Sequence, residues 1–379
     1  MSVETIEDSA RAGGGLTEYA TDPALRPPPL SQLTDQQQRD LDAVLGGSCV
    51  SLHDHPFLLP DPLTKQSWQR HWDSRRERIA EAGLASSGLA ALFASSLVRD
   101  DLDSVLYWAS TTATSIHRAS GLQLARHWKD VGLPGVAVFL ALEDLGLIGA
   151  QVSDLDALFG CGIRSAGLAY NTGSALAGGL AQPTDPGLSA AGREAIGAME
   201  SLGMVVDLAH VGDSSSLQAA AVAAKPVVIS HAGARALWPT PRMKPDSVIR
   251  AVADTGGLIG LEAAPGSTRT RPDSPEHNLD DVMRHLEYIA ELVGIEHVAL
   301  GPDTFFGDHV NLYRVAGWKP SSVPDGAPTL DIEQVSGMDN PQEAPVQTAA
   351  WLLAHGWNRS DVVAVLGGNA VRVMSRLLK

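Results

Sequence analysis

The residues most able to do chemistry are imidazoles and carboxylates, each set just behind a short apolar run. His53 and His55 close Ser51-Leu52-His53-Asp54-His55-Pro56, and Glu143 follows Val136–Leu142. His210 follows Met204–Ala209, His231 follows Pro226–Ser230, and Asp303 follows His297–Pro302. Neutral imidazole and carboxylate are the usual ligands of zinc and similar divalent cations. One carboxylate can bridge two cations with its two oxygens. Two such cations polarise a carbonyl and acidify the water between them, so the natural reaction is hydrolysis of an amide, ester or phosphoester.

Each residue alone has a plainer reading. His53 and His55 read equally as two solvated histidines, Glu143 as a helix N-cap, and His210 or His231 as a satisfied core or surface residue. Asp303 reads as a ligand or as a general base beside metal-bound water. A His-x-His pair on a strand puts both rings on one side and sends Asp54 into the wall. Five strand ends carrying such residues together point to one metal centre. His71, His117, His127, His277, His285, His297 and His355 lack this placement and are expected mostly on the surface, with His309 able to reach the centre from a long loop.

The elements that must position these groups alternate along the chain. Strands are predicted at 48–53, 88–95, 136–142, 163–169, 204–208, 226–230, 258–262 and 297–302, and helices at 100–131, 189–202, 213–223, 245–255 and 278–293. Eight apolar strands separated by helices give an α/β fold, a (β/α)8 TIM-like barrel, whose strand ends meet at the C-terminal mouth. Residues 1–46 form an N-terminal arm or extension, Gly- and Pro-rich to 35 with a short helix at 36–46. Residues 47–379 form the metal-dependent hydrolase barrel, closed by helices after about 344. The stretch 304–343, after the last strand, is a long loop expected to overhang the site.

Composition narrows the class. A net charge of −16 over 379 residues argues against nucleic acid or an anionic membrane as partner. Only two cysteines argue against a disulfide framework and exclude a cysteine zinc cluster. The acidic N-terminus has no apolar signal region, and no apolar run reaches the length of a membrane span, so a cytoplasmic location is expected.

The chain resembles the renal (membrane) dipeptidase family of zinc peptidases, within the amidohydrolase-like barrels, from about residue 45 to the end. The resemblance is carried by Gly203–Val211, Ile229–Leu237, Gly256–Leu261 and Leu366–Val373. It implies a binuclear centre of two zinc ions. His53, His55 and Glu143 would hold one ion, and Glu143 would bridge to a second held by His210 and His231. It implies that Arg242 grips the substrate carboxylate, a task suited to a guanidinium fork, although Arg242 by itself reads as a surface loop residue. It makes Asp303 the acid/base beside a zinc-bridged hydroxide. The activity implied is hydrolysis of free dipeptides, and a homodimer is expected by analogy. Two positions depart from the pattern. His55 stands where better-known members have aspartate, which raises the net charge of the site by one. Tyr170 stands where they have a histidine that contacts the reacting carbonyl oxygen. A phenol can donate to an oxyanion, or simply pack in the mouth. Competing readings are another amidohydrolase-type hydrolase of a lactone, cyclic amide or phosphoester, a biosynthetic dipeptidase for one specialised intermediate, and a non-catalytic binding protein.

Overall fold

A computed structural model describes residues 18–47, 49–97, 101–149, 151–272, 276–317 and 333–379. Apolar runs rich in β-branched and small residues become nine parallel strands: β1 Cys49–Asp54, β2 Leu89–Ser95, β3 Leu122–Leu124, β4 Val136–Leu142, β5 Ile163–Gly167, β6 Val205–Asp207, β7 Val228–Ala232, β8 Leu258–Leu261 and β9 Val298–Leu300. β1 pairs with both β2 and β9, and β2 pairs with β4, so β1, β2 and β4 through β9 close an eight-stranded barrel. β3 is an extra short strand beside the start of β4. The (β/α)8 expectation holds.

Alternation sorts the strand residues onto two faces. Val50, Leu52, Ala91, Phe93, Ala137, Phe139, Ala141, Val205, Val228, Leu258 and Ala299 cluster with one another, with Ala125 and its neighbours, and with terminal residues such as Ala370, Val373, Met374 and Leu377. This is the barrel interior, stoppered at its base by the helix Asn369–Leu377. Leu92, Val138, Leu140, Val206 and Ile259 instead pack with helix residues such as Trp108, Met199, Val252 and Ile289, and so form the outer layer.

Differences from the predicted elements have local causes. The helix expected over 100–131 runs only Leu102–Arg118, its extended C-cap at Ala119 turning the chain into β3. Residue 100 lies outside the described residues. So do 48, where the first predicted strand begins, and 1–17 of the arm. The strand expected at 226–230 sits at Val228–Ala232, and Pro226 has no N–H to give a ladder. In the long stretch after β9, expected to be loop, Asp308 caps a helix, His309–Ala316. Residues 318–332 of that stretch are outside the described residues. The arm is tied down: Asp22 accepts from the amides of Ala82 and Gly83, and Gln342 and Gln347 donate to the carbonyls of Pro23, Leu25 and Pro28. Among the described residues no helix is long and apolar enough to cross a membrane.

Candidate metal centre at the barrel mouth

The interior parity of each strand continues past its end. Phe139 and Ala141 lead to Glu143, Val205 to Asp207, Leu258 and Gly260 to Glu262, and Ala299 and Gly301 to Asp303. β1 and β7 are exceptions. The pairing of β7 with β8 is irregular between Ile229 and Ala232, the stretch that holds His231. The pairing of β1 with β2 is irregular between Ser51 and Asp54, and a bulge of this kind re-aims side chains. Beyond it His53 and His55 reach the mouth, while Asp54 accepts hydrogen bonds from Ser51 and Thr304. Close approach of strands demands glycine here. A Cβ on Gly260 or Gly301 would lie 1.9 or 1.8 Å from the Ser230 carbonyl oxygen, and one on Gly167 would lie 2.2 Å from that of Glu143.

The side chains converge. Glu143 Oε1 is 3.4 Å from His55 Nε2, and its Oε2 is 3.3 Å from His210 Nε2. His210 Nε2 and His231 Nε2 are 3.0 Å apart. Asp303 Oδ1 lies 3.4 Å from His53 Nε2 and 3.2 Å from His55 Nε2. His53, His55, Glu143, His210 and His231 are all buried, and the His53 Nε2 atom makes no hydrogen bond. Asp303 has a left-handed backbone, φ 59°, uncommon for a non-glycine residue.

The outer partners fix which nitrogen carries hydrogen. His55 Nδ1–H donates to the Ser95 carbonyl at 2.9 Å, and His210 Nδ1–H donates to Asn171 Oδ1 at 2.8 Å. The Ser230 hydroxyl donates to Asp207, so its oxygen accepts from His231 Nδ1–H at 2.7 Å. Neutral rings held this way present bare Nε2 lone pairs to one another and to carboxylates. Such a set repels itself unless positive charge lies between its members. Ligand atoms about 2.0–2.1 Å from a tetrahedral zinc stand about 3.3 Å apart, which is the spacing found here. His53 with His55 and Glu143 forms one such cluster, and Glu143 with His210 and His231 forms another. Asp207 is near His53 and His231, but its oxygens already accept from Ala209, Ser230 N–H and the Ser230 hydroxyl. The residues present therefore fit two divalent cations sharing Glu143. The electrostatics agree for His231. Burial, then the His53 and Arg242 charges, hold His231 well below its ordinary value and neutral. Burial would lower His53 as well, but the Asp303 carboxylate 3.4 Å away and the surrounding carboxylates outweigh it and raise it.

Around this centre, Phe305 stacks on His55 with ring centres 4.2 Å apart, and Tyr170 stacks on His210 at 4.1 Å. Arg242 is buried rather than on a surface loop. Its Nη2 lies 2.7 Å from Glu262 Oε2 and donates to the His231 carbonyl at 3.1 Å. Burial pushes the Glu262 carboxyl up to about 7 against the pull of Arg242. Glu262 is the residue that the sequence reading missed, although it follows the apolar run Leu258–Leu261 as the other site residues follow theirs. Asn171 was also missed, because its role depends on a partner across the mouth. The expectation of surface histidines fails for His71, His277 and His285, which are buried, while His309 reaches the mouth beside Phe305, as its loop position allowed. Two of them act as pins. His277 Nδ1 accepts from Gly266 N–H at 3.1 Å, and His285 Nδ1 accepts from Ala234 N–H at 2.9 Å.

A profile of the membrane dipeptidase family (peptidase family M19) matches residues 78–378, a span that begins after His53 and His55. Dipeptidase aclJ of Aspergillus oryzae is 30% identical over 244 residues, which cover 64% of this chain and 52% of that protein. The matched segments span between 41% and 65% of the lengths of the curated relatives. Among solved structures, an amidohydrolase from Pseudomonas aeruginosa superposes with a TM-score of 0.73 at 21% identity, covering 89% of this chain and 99% of that one. A metallo peptidase from Rhodobacter sphaeroides, solved with a phosphinate mimic of the dipeptide L-Ala-D-Ala, gives a TM-score of 0.66 at 19% identity, covering 87% and 99%. At such identities the two structures show a shared fold. The profile match shows more: the chain belongs to the membrane dipeptidase family.

Proposed function

We propose that this member of the membrane dipeptidase family is a metal-dependent dipeptidase, with two zinc ions as resident metals and a dipeptide-sized substrate cleaved at its peptide bond. One observation carries the reading: imidazole Nε2 atoms fixed as lone-pair donors converge with two carboxylates at the spacing of ligand atoms around tetrahedral cations. His53, His55 and Glu143 would hold one ion, and Glu143, His210 and His231 the other. Cations bound there supply Lewis acidity to the scissile carbonyl and make water a nucleophile near neutral pH. The dipeptide mimic bound by the Rhodobacter neighbour supports a substrate of that size.

The remaining work belongs to the chain itself. Asp303, with Oδ1 within 3.4 Å of both His53 and His55, sits where a carboxylate can take a proton from the attacking water and return it to the leaving amine. Tyr170, on the His210 ring, places a phenol at the rim, where O–H donation would stabilise the tetrahedral oxyanion. Arg242 and Glu262 would face the C-terminal end of the substrate, on the leaving-amine side of the scissile bond. Phe305 covers His55 and keeps water from that flank.

The test is hydrolysis of a panel of L,L and L,D dipeptides by zinc-loaded protein, with chelated protein as control and metal content measured in parallel. Metal-dependent release of both amino acids by protein carrying two zincs is expected. Two bound zincs without cleavage of any dipeptide would overturn the reading and leave an ester, lactone or phosphoester as substrate.

A further inference from the structure

Arg242 is not an open guanidinium awaiting an anion. Its Nη2 is in contact with Glu262 Oε2 at 2.7 Å, both side chains are at most 4% exposed, and Nη1 and Nη2 also reach the carbonyls of Ala209 and His231 at 3.4 and 3.1 Å. Glu262 Oε2 is buried and lacks an aligned hydrogen bond, so it keeps acceptor capacity. Its placement is built in. Strand parity through Leu258 and Gly260 directs it inward, and its own carbonyl accepts from Thr268 Oγ1 at 2.9 Å. Thr268 in turn is held by His277 Nε2 at 3.0 Å.

Above about pH 7, where Glu262 is ionised, the substrate end of the mouth therefore offers a donor and an acceptor side by side, with no net charge. A free carboxylate brought to Arg242 would meet the Glu262 carboxylate at close range in a site that excludes water, and like charges so placed repel strongly. A carboxamide has the matching pattern, with its C=O toward the guanidinium and its N–H toward Glu262 Oε2. We propose that Arg242 and Glu262 form a subsite for an uncharged amide, so that this chain prefers dipeptides whose C-terminal group is a carboxamide, or a continuing peptide amide, over the free acid. The inference rests on the dipeptidase reading.

The experiment compares kcat/KM for L-alanyl-L-alaninamide and L-alanyl-L-alanine on zinc-loaded wild type and Glu262→Gln, following the release of alanine. The wild type should favour the amide by about tenfold or more, and Glu262→Gln should shift the ratio toward the free acid by about tenfold or more, the size expected when one like-charge contact is removed. Preference of the wild type for the free acid, or a ratio unmoved in Glu262→Gln, overturns the inference while leaving the dipeptidase reading intact. The wild-type ratio decides by itself should the variant fail to fold. Turnover of neither form overturns the dipeptidase reading, and the inference falls with it.

Discussion

Replacing Asn171 with alanine should weaken zinc binding at Glu143, His210 and His231 without touching a ligand. Asn171 Oδ1 accepts the Nδ1–H of His210 at 2.8 Å, and that bond keeps the Nε2 lone pair pointed into the cluster, 3.3 Å from Glu143 and 3.0 Å from His231. Without it the ring can rotate or hold its hydrogen on Nε2, the atom the metal needs. Loss of such an outer partner weakens metal affinity by about 10- to 100-fold, or about 1.4–2.7 kcal/mol. Metal-linked stability grows as RT ln(1 + [L]/Kd), so the same amount disappears from the zinc-dependent part of the unfolding free energy at fixed saturating zinc. Zinc affinity is measured by competition with a chromophoric chelator, and stability by thermal melts with and without metal. The metal-free melt separates a packing defect from a ligand defect. Asn171→Asp keeps an acceptor at this position and should retain wild-type affinity or exceed it. Wild-type affinity in Asn171→Ala, or an equal loss in Asn171→Asp, would refute the assignment of the His210 tautomer and the fit argument that rests on it.

Three further outcomes follow from the geometry. Asp303→Asn should lower kcat by about 10²- to 10⁴-fold, the range for loss of a general acid/base, with zinc content unchanged on elemental analysis; loss of one zinc along with activity would make Asp303 a ligand instead. Gly260→Ala puts a Cβ 1.9 Å from the Ser230 carbonyl, so it should cost about 3 kcal/mol or more in urea unfolding. By contrast, Gly197→Ala, on the helix Ala190–Leu202 with nothing within 4 Å of the new Cβ, should gain about 0.5–1 kcal/mol, and equal effects at the two positions would contradict the packing. Burial holds His277 down to about 3 and His285 down to about 4, so both stay neutral when folded. The unfolded chain takes up these protons first, near about pH 6.5, so stability falls as pH drops below that value toward the folded values, at about 1.4 kcal/mol per pH unit per histidine. Urea unfolding between pH 7 and 5 reads the slope, and His285→Gln should reduce it; an unchanged slope would sink the claim.

The barrel was legible because parallel strands buried on both faces write themselves as continuous apolar runs. Where that signal is short it vanished: the three residues of β3 were absorbed into the preceding helix pattern. The buried histidines were misjudged by treating each as isolated. His285 in fact shares the buried stripe of its helix with Val282, Leu286 and Ile289, a helical spacing present in the sequence. His277 has no such signal, since it is set by the loop amide it accepts from.

Glu262 shows a deeper limit. It satisfies the same strand-end rule that located Glu143 and Asp303, yet the rule says only that a side chain faces the mouth, not what it meets there. Its partner Arg242 lies on a loop that returns to the mouth after β7, and the pairing depends on a three-dimensional closeness that no spacing along the chain encodes. Metal ligands are different. The strand ends of the barrel bring the candidate ligands together at one mouth whatever the substrate. On the reading proposed above, the substrate end depends on which residue fills the inward position beside Arg242. A carboxylate at 262 changes the charge that Arg242 offers from plus one to none, while leaving every candidate metal ligand in place. The features that identify the family are therefore the ones least able to say which substrate this member takes, and the pair Arg242 and Glu262 is where that difference should be sought.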